Sequence, residues 1–93
     1  MADPINYGAW PVTGNTSLTA NLGGQKMPVK LGGFLCTTAG TLQVRDGIDN
    51  TGRIVIPSVA VTAGQYINFP ANLHDGCYVE CGGGAAVTAL AVF

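Results

Sequence analysis

The sequence predicts an all-β fold: an antiparallel β-sandwich, jelly-roll-like, with six to eight short strands and an extended N-terminal arm. Three observations carry this. Helix formers are scarce, with Glu present once and Lys twice, while Gly, Thr and Val abound. Apolar and polar residues alternate with a period of two over short runs, which puts successive side chains on opposite sheet faces. Turn formers (Gly, Asn, Asp, Pro) separate these runs about every ten residues, the spacing of a sandwich or barrel. Ninety-three residues suffice for one domain.

Residues 1 to 16 have no period and hold Pro4 and Pro11, so they read as an extended arm ahead of a sandwich domain of residues 17 to 93. Tyr7 and the single Trp, Trp10, are large anchors suited to an interface. Trp10 folding back as a plug for the chain's own core is an equal alternative. A weak strand is expected over Ser17 to Leu22 and a stronger one over Leu31 to Thr38. Thr41 to Arg45 is the clearest strand, with Leu42 and Val44 on one face and Gln43 and Arg45 on the other.

Asp46 to Gly52 is dense in turn formers. The next strand starts at Arg53 and is expected to stop at Pro57, which has no N–H for the ladder. Gly64 to Phe69 sets Ile67 and Phe69 against Tyr66 and Asn68, and Pro70 should end it. After the loop Asn72 to Gly76, Cys77, Val79 and Cys81 alternate with Tyr78 and Glu80. Gly82, Gly83 and Gly84 form a turn before the last strand, Ala86 to Phe93. That strand is apolar on both faces: Val87, Ala89, Ala91 and Phe93 on one, Leu90 and Val92 on the other. Such a strand is covered on both sides, the second cover being another chain or the arm.

Only 10 % of the residues are charged, against roughly 25 % in an ordinary soluble domain. A free-standing monomer relies on surface charge against association, so this chain is expected to keep much of its surface under neighbours. A net charge of −1 gives no drive toward nucleic acid or an anionic membrane. No apolar run reaches the ~18 residues of a membrane span, and residues 1 to 12 lack the pattern of a signal peptide. All four basic residues lie between Lys26 and Arg53, and the chain beyond carries only Asp75 and Glu80. Chance in a charge-poor chain explains this better than a plus-to-minus docking scheme.

The candidate chemical sites read as structural. His74, Cys77 and Cys81, with Cys36, hold zinc-ligand types. Yet four strand residues separate Cys77 from Cys81 by roughly 13 Å, too far for one metal or for a disulfide, whose α-carbons lie within ~7 Å. Buried thiols without metal or other cofactor are expected, and a bridge from Cys36 to one of the others is open if their strands are adjacent. Asp46, Asp49 and Asn50 lack the alternating ligands of a calcium loop and suit a turn. His74 and Asp75, as neighbours in an extended segment, cannot share one substrate proton, so no enzyme is expected.

The stretches Gly40 to Gly47, Gly52 to Pro57, Thr62 to Pro70, Asp75 to Val79 and Gly83 to Thr88 share a further feature. Through them the chain from Leu31 onward resembles small β-sandwich virion proteins of tailed bacteriophages. The resemblance is a rhythm of strands and turns spanning about two-thirds of the chain. It implies a head decoration or cement protein, or a connector or tail component, with no catalytic residues. The expected partners are further copies of this chain, as in a trimer, and the major capsid protein, within a virion assembled in the host cytoplasm. Tyr7, Trp10, Leu90, Val92 and Phe93 are the expected contact residues. The rival is a ligand- or carbohydrate-binding module of a tail or fibre, with Tyr66, Tyr78, Asn68 and Glu80 as its platform.

Overall fold

The computed structural model describes residues 8–20, 23 and 25–92. Eight strands form, and no α-helix occurs among the described residues: β1 (Gly8–Thr13), β2 (Asn15–Ser17), β3 (Val29–Thr38), β4 (Gly40–Asp46), β5 (Arg53–Val61), β6 (Tyr66–Leu73), β7 (Tyr78–Gly82) and β8 (Ala86–Val92). They make two antiparallel four-stranded sheets, sheet A in the order β1-β8-β3-β6 and sheet B in the order β2-β7-β4-β5. The first strand lies beside the last, the second beside the seventh, the third beside the sixth, and β4 beside β5. One long folded-back ribbon has been rolled into a sandwich, which is the jelly-roll topology.

The alternation seen in the sequence becomes the division between core and surface. Leu31, Phe34, Val87 and Ala89 of sheet A, and Leu42, Val44 and Val79 of sheet B, are 1 % exposed or less. Phe34 lies between Ala89 and Ile67 in the neighbouring strands, and the small Ala89 leaves room for its ring. The three thiols join this core and are unbridged. Cys36 lies in sheet A and Cys81 in sheet B, so their strands are not hydrogen-bonded neighbours.

Of the arm read over residues 1 to 16, residues 1–7 lie outside the described residues, and from Gly8 on the chain is built into both sheets. Residues 8–13 pair with β8 and residues 15–17 with β7, so the boundary read at 16/17 falls inside β2. Leu18 and Thr19 are buried in a turn rather than a strand, and residues 21 and 22 of that expected strand lie outside the described residues.

Two expected stops do not occur. β5 continues through Pro57 to Val61, and β6 through Pro70 to Leu73. In each case the register slips at the proline: Leu42 pairs with Val59 but Val44 with Ile56, and Leu31 pairs with Ala71 but Gly33 with Asn68. A β-bulge gives a proline a place without a ladder N–H. Both strands are sheet edges, where proline is tolerated.

Candidate functional site

Alternate strands run in opposite directions, so the loops divide between two ends. The 18–28, 46–53 and 73–78 connections share one end, and the tight turns at Gly14, Ala39, Ala63 to Gln65 and Gly83 to Gly84 share the other. Every described charged residue except Glu80 lies in or next to the first end: Lys26, Lys30, Arg45, Asp46, Asp49, Arg53 and Asp75. Acids and bases are thus intermixed at one pole and do not form opposed faces.

At this pole a cleft of about 570 Å³ is lined by Lys26, Asp46, Asp49, Arg53, His74 and Asp75 among others. Its central carboxylate is already occupied. Asp46 continues the inward row of Leu42 and Val44 and is 6 % exposed. It accepts the backbone N–H of His74 at 3.1 Å and of Asp75 at 2.8 Å, and Arg53 stands 3.6 Å away. Gly76, at φ 129°, lets the next turn lie against the Gly47 carbonyl, which a β-carbon would meet at 2.8 Å. Asp49 accepts the Thr51 amide and hydroxyl, an Asx turn that holds its carboxyl below the usual range. Asp49 thus acts within its turn, as the sequence suggests, whereas Asp46 is a buried residue at the end of β4 and ties the 73–78 loop to that strand. Burial, aided by the Asp46 carboxylate, pushes the Cys77 thiol up to about 12, leaving it protonated and unreactive at neutral pH. No group of three or more His, Cys, Asp or Glu residues is placed to hold a metal among the described residues.

The two outer faces differ in their polar groups, while each sheet carries exposed apolar side chains, Ile54 and Val59 lying on the edge strand β5 of sheet B. Sheet B presents a satisfied polar network. Glu80 accepts from Arg45 at 2.5 Å and from Gln43 at 3.1 Å, and Arg45 also donates to the Gly52 carbonyl. The Arg45 hydrogen bond, opposed by partial burial and helped by Gln43, holds the Glu80 carboxyl below its ordinary value. A carboxylate lowered in the folded state stabilises above its unfolded pKa and loses that contribution as pH falls through the folded one. Thermal melts of the wild type and Glu80→Gln should therefore differ at neutral pH, begin to approach one another near the ordinary glutamate value of ~4.3, and converge only as pH falls through the lowered folded value. A gap that persists in acid would show that packing, not charge, is at issue.

Among the described residues sheet A has no such ion-paired network, and its outer face mixes apolar side chains with Asn68 and Asn72. Leu90 and Val92 of β8 lie on its outer face, half-buried, opposite Gly33 and Lys30 of β3. Leu35 is 40 % and Tyr66 49 % exposed there, and Ala9 and Pro11 extend the patch onto β1. The Tyr66 ring crosses over Gly33, whose missing β-carbon would lie 2.7 Å from the Tyr66 hydroxyl. Lys30 is the only charged side chain on this face among the described residues.

The other expected contact residues are placed differently. Trp10 shares the inward row of β1 with Val12, packs half-buried against the core, and donates its Nε1–H to the Ala91 carbonyl at 3.2 Å. Tyr7 and Phe93 lie outside the described residues. Trp10→Ala should cost about 2–3 kcal/mol, the lower part of the range for large aromatic truncations because the ring is half-buried. Trp10→Phe should keep most of this, losing one hydrogen bond of ~1 kcal/mol. An unchanged melting temperature in Trp10→Ala would mean that the ring serves a neighbour instead of the core. The four-residue carbohydrate platform is divided: Tyr66 and Asn68 stand on the outer face of sheet A, Tyr78 and Glu80 on that of sheet B. Comparison with known proteins finds no matching family, no matching curated protein and no matching solved structure.

Proposed function

We propose that this chain is a non-enzymatic structural protein of a bacteriophage virion, a head decoration or cement protein that works as a homo-oligomer on the major capsid protein. The carrying observation is the outer face of sheet A, a broad, nearly charge-free surface on an otherwise complete jelly roll. A face of this kind gains by being covered. The phage-like strand rhythm, and the use of jelly rolls in viral capsids, support the reading by analogy. Bound across subunit junctions, such a protein adds contacts that shell expansion or internal pressure has to break.

The test is mass spectrometry of purified particles encoded by the genome that carries this gene, followed by co-sedimentation of Val92→Asp. The chain should be a stoichiometric virion component, and the variant should stay folded but lose at least ~10-fold in particle binding, because it places a charge in a dry contact. Absence from the particles overturns the reading. A second reading, a glycan-binding module of a tail or fibre, is favoured by the exposed Tyr66 ring beside Asn68, since lectins also use jelly rolls. Tyr66→Ala abolishing retention on a glycan array would select it.

A further inference from the structure

We propose that the outer face of sheet A is an interface between two copies of this chain, packed face to face about a two-fold axis perpendicular to the strands. This rests on reading that face as covered in the assembly, and it names the cover. The sheet edges exclude the commonest alternative, addition of a strand from a neighbour. β1 carries Pro11, β5 carries Pro57 and two register slips, β6 carries Pro70 and one, and β2 is only three residues long. Proline, bulges and short strands are the devices that block edge pairing. Association is left to side chains on faces, and the outer face of sheet B already spends its polar groups on the Arg45–Glu80–Gln43 network.

The electrostatics of the remaining face suit an identical partner. A strongly charged partner would find only Lys30 to pair with. Lys30 stands at the margin near the charged pole, while the opposite margin holds Thr13, Thr37 and Ala86. A two-fold axis perpendicular to the strands sets each Lys30 against the uncharged margin of the other copy. The two lysines are then about a strand length, ~20 Å, apart and well screened. An axis along the strands would crowd both at one end. The area is that of a small interface. Four strands about 4.8 Å apart and some seven residues long cover roughly 450 Å² in projection, and side-chain relief raises this toward the ~600 Å² per partner of the smaller specific interfaces. An isologous contact of this kind closes on itself as a dimer.

Leu90 and Leu35 lie on the two central strands, two residues apart in register and on either side of the Phe34–Ala89 pair near mid-strand, so they flank the axis. Sedimentation equilibrium should show a wild-type dimer at micromolar concentration. Leu90→Lys and Leu90→Glu should each be monomeric, weakened at least ~100-fold, with circular dichroism melts close to wild type. Mixed in equal amounts, the two variants should recover a heterodimer, because opposite charges then meet near the axis. Leu35→Lys provides a second, independently exposed position should Leu90 variants fold poorly. A monomeric wild type, or a dimer or trimer that persists in every variant, overturns the proposal. If a monomeric wild type still co-sediments with particles, the virion reading stands and only the self-interface fails. If the face dimerises but the chain is absent from particles, the reverse holds.

Discussion

Phe34→Ala should destabilise the fold by about 3–5 kcal/mol, the usual cost of removing a fully buried aromatic ring. Phe34 is the largest fully buried side chain and is 0 % exposed. Its neighbours across the sheet are Ala89 and Ile67, and an alanine beside an alanine leaves a cavity that a hydrogen-bonded sheet cannot close. Domains of this size have roughly 5–14 kcal/mol in total, so the loss leaves the chain close to unfolding. The midpoint of thermal unfolding should fall by about 15–30 °C. Leu35→Ala is the internal control. The adjacent residue points to the other face and is 40 % exposed, so it should cost under ~1 kcal/mol at dilutions where association adds nothing. The pair tests register as well as packing, because a slip of one residue exchanges the two faces. Equal losses in the two variants, measured by urea unfolding, would mean that β3 is not registered as described.

This in–out pattern was legible in the sequence for β4, β6, β7 and β8, because two-residue periodicity survives wherever one sheet face is buried; in β3 the bulge between Leu31 and Gly33 puts the inward Leu31 and Phe34 three residues apart and hides it. In β8 the sequence separated Val87, Ala89 and Ala91 from Leu90 and Val92, and the strand buries the first row while leaving the second half-buried. The three prolines were misjudged for one shared reason. Local sequence says that proline cannot donate to a ladder, but whether a strand has a free side is decided by the sheet order. β1, β5 and β6 are all edges, so Pro11, Pro57 and Pro70 are accommodated within strands. Pro11 thereby made an edge strand look like an arm, although Trp10 and Val12 already lay two residues apart. Sheet membership is likewise invisible along the chain, and for that reason Tyr66 and Tyr78, which look alike in sequence, occupy opposite surfaces.

The inward position of Asp46 did have a signal: it continues the Leu42, Val44 row at two-residue spacing, which its turn-forming neighbours obscured. Asp46→Ala should cost about 2–4 kcal/mol. The carboxylate accepts two backbone N–H groups, those of His74 and Asp75, and removing an acceptor costs about 1–3 kcal/mol for each donor left without a partner. Water entering the cleft keeps the sum below its maximum. The ion pair with Arg53 adds little, because that side chain is 75 % exposed. Asp46→Asn, which retains one acceptor oxygen, should recover about half of the loss. The location of the effect separates a loop staple from general weakening. Amide exchange at His74 and Asp75 should accelerate well beyond the change at Phe34 or Ala89, since the β6–β7 loop is held to the end of β4 by these bonds while the sheets have their own ladders. The Cys77 thiol should also become somewhat more acidic, having lost a neighbouring negative charge, yet remain mostly protonated because burial is the larger cause of its shift. If Asp46→Ala melts like the wild type and these two amides stay protected, the charged pole is not held by this carboxylate. The cleft around Lys26, Arg53 and His74 would then have to be explained as a surface arranged for something outside the chain.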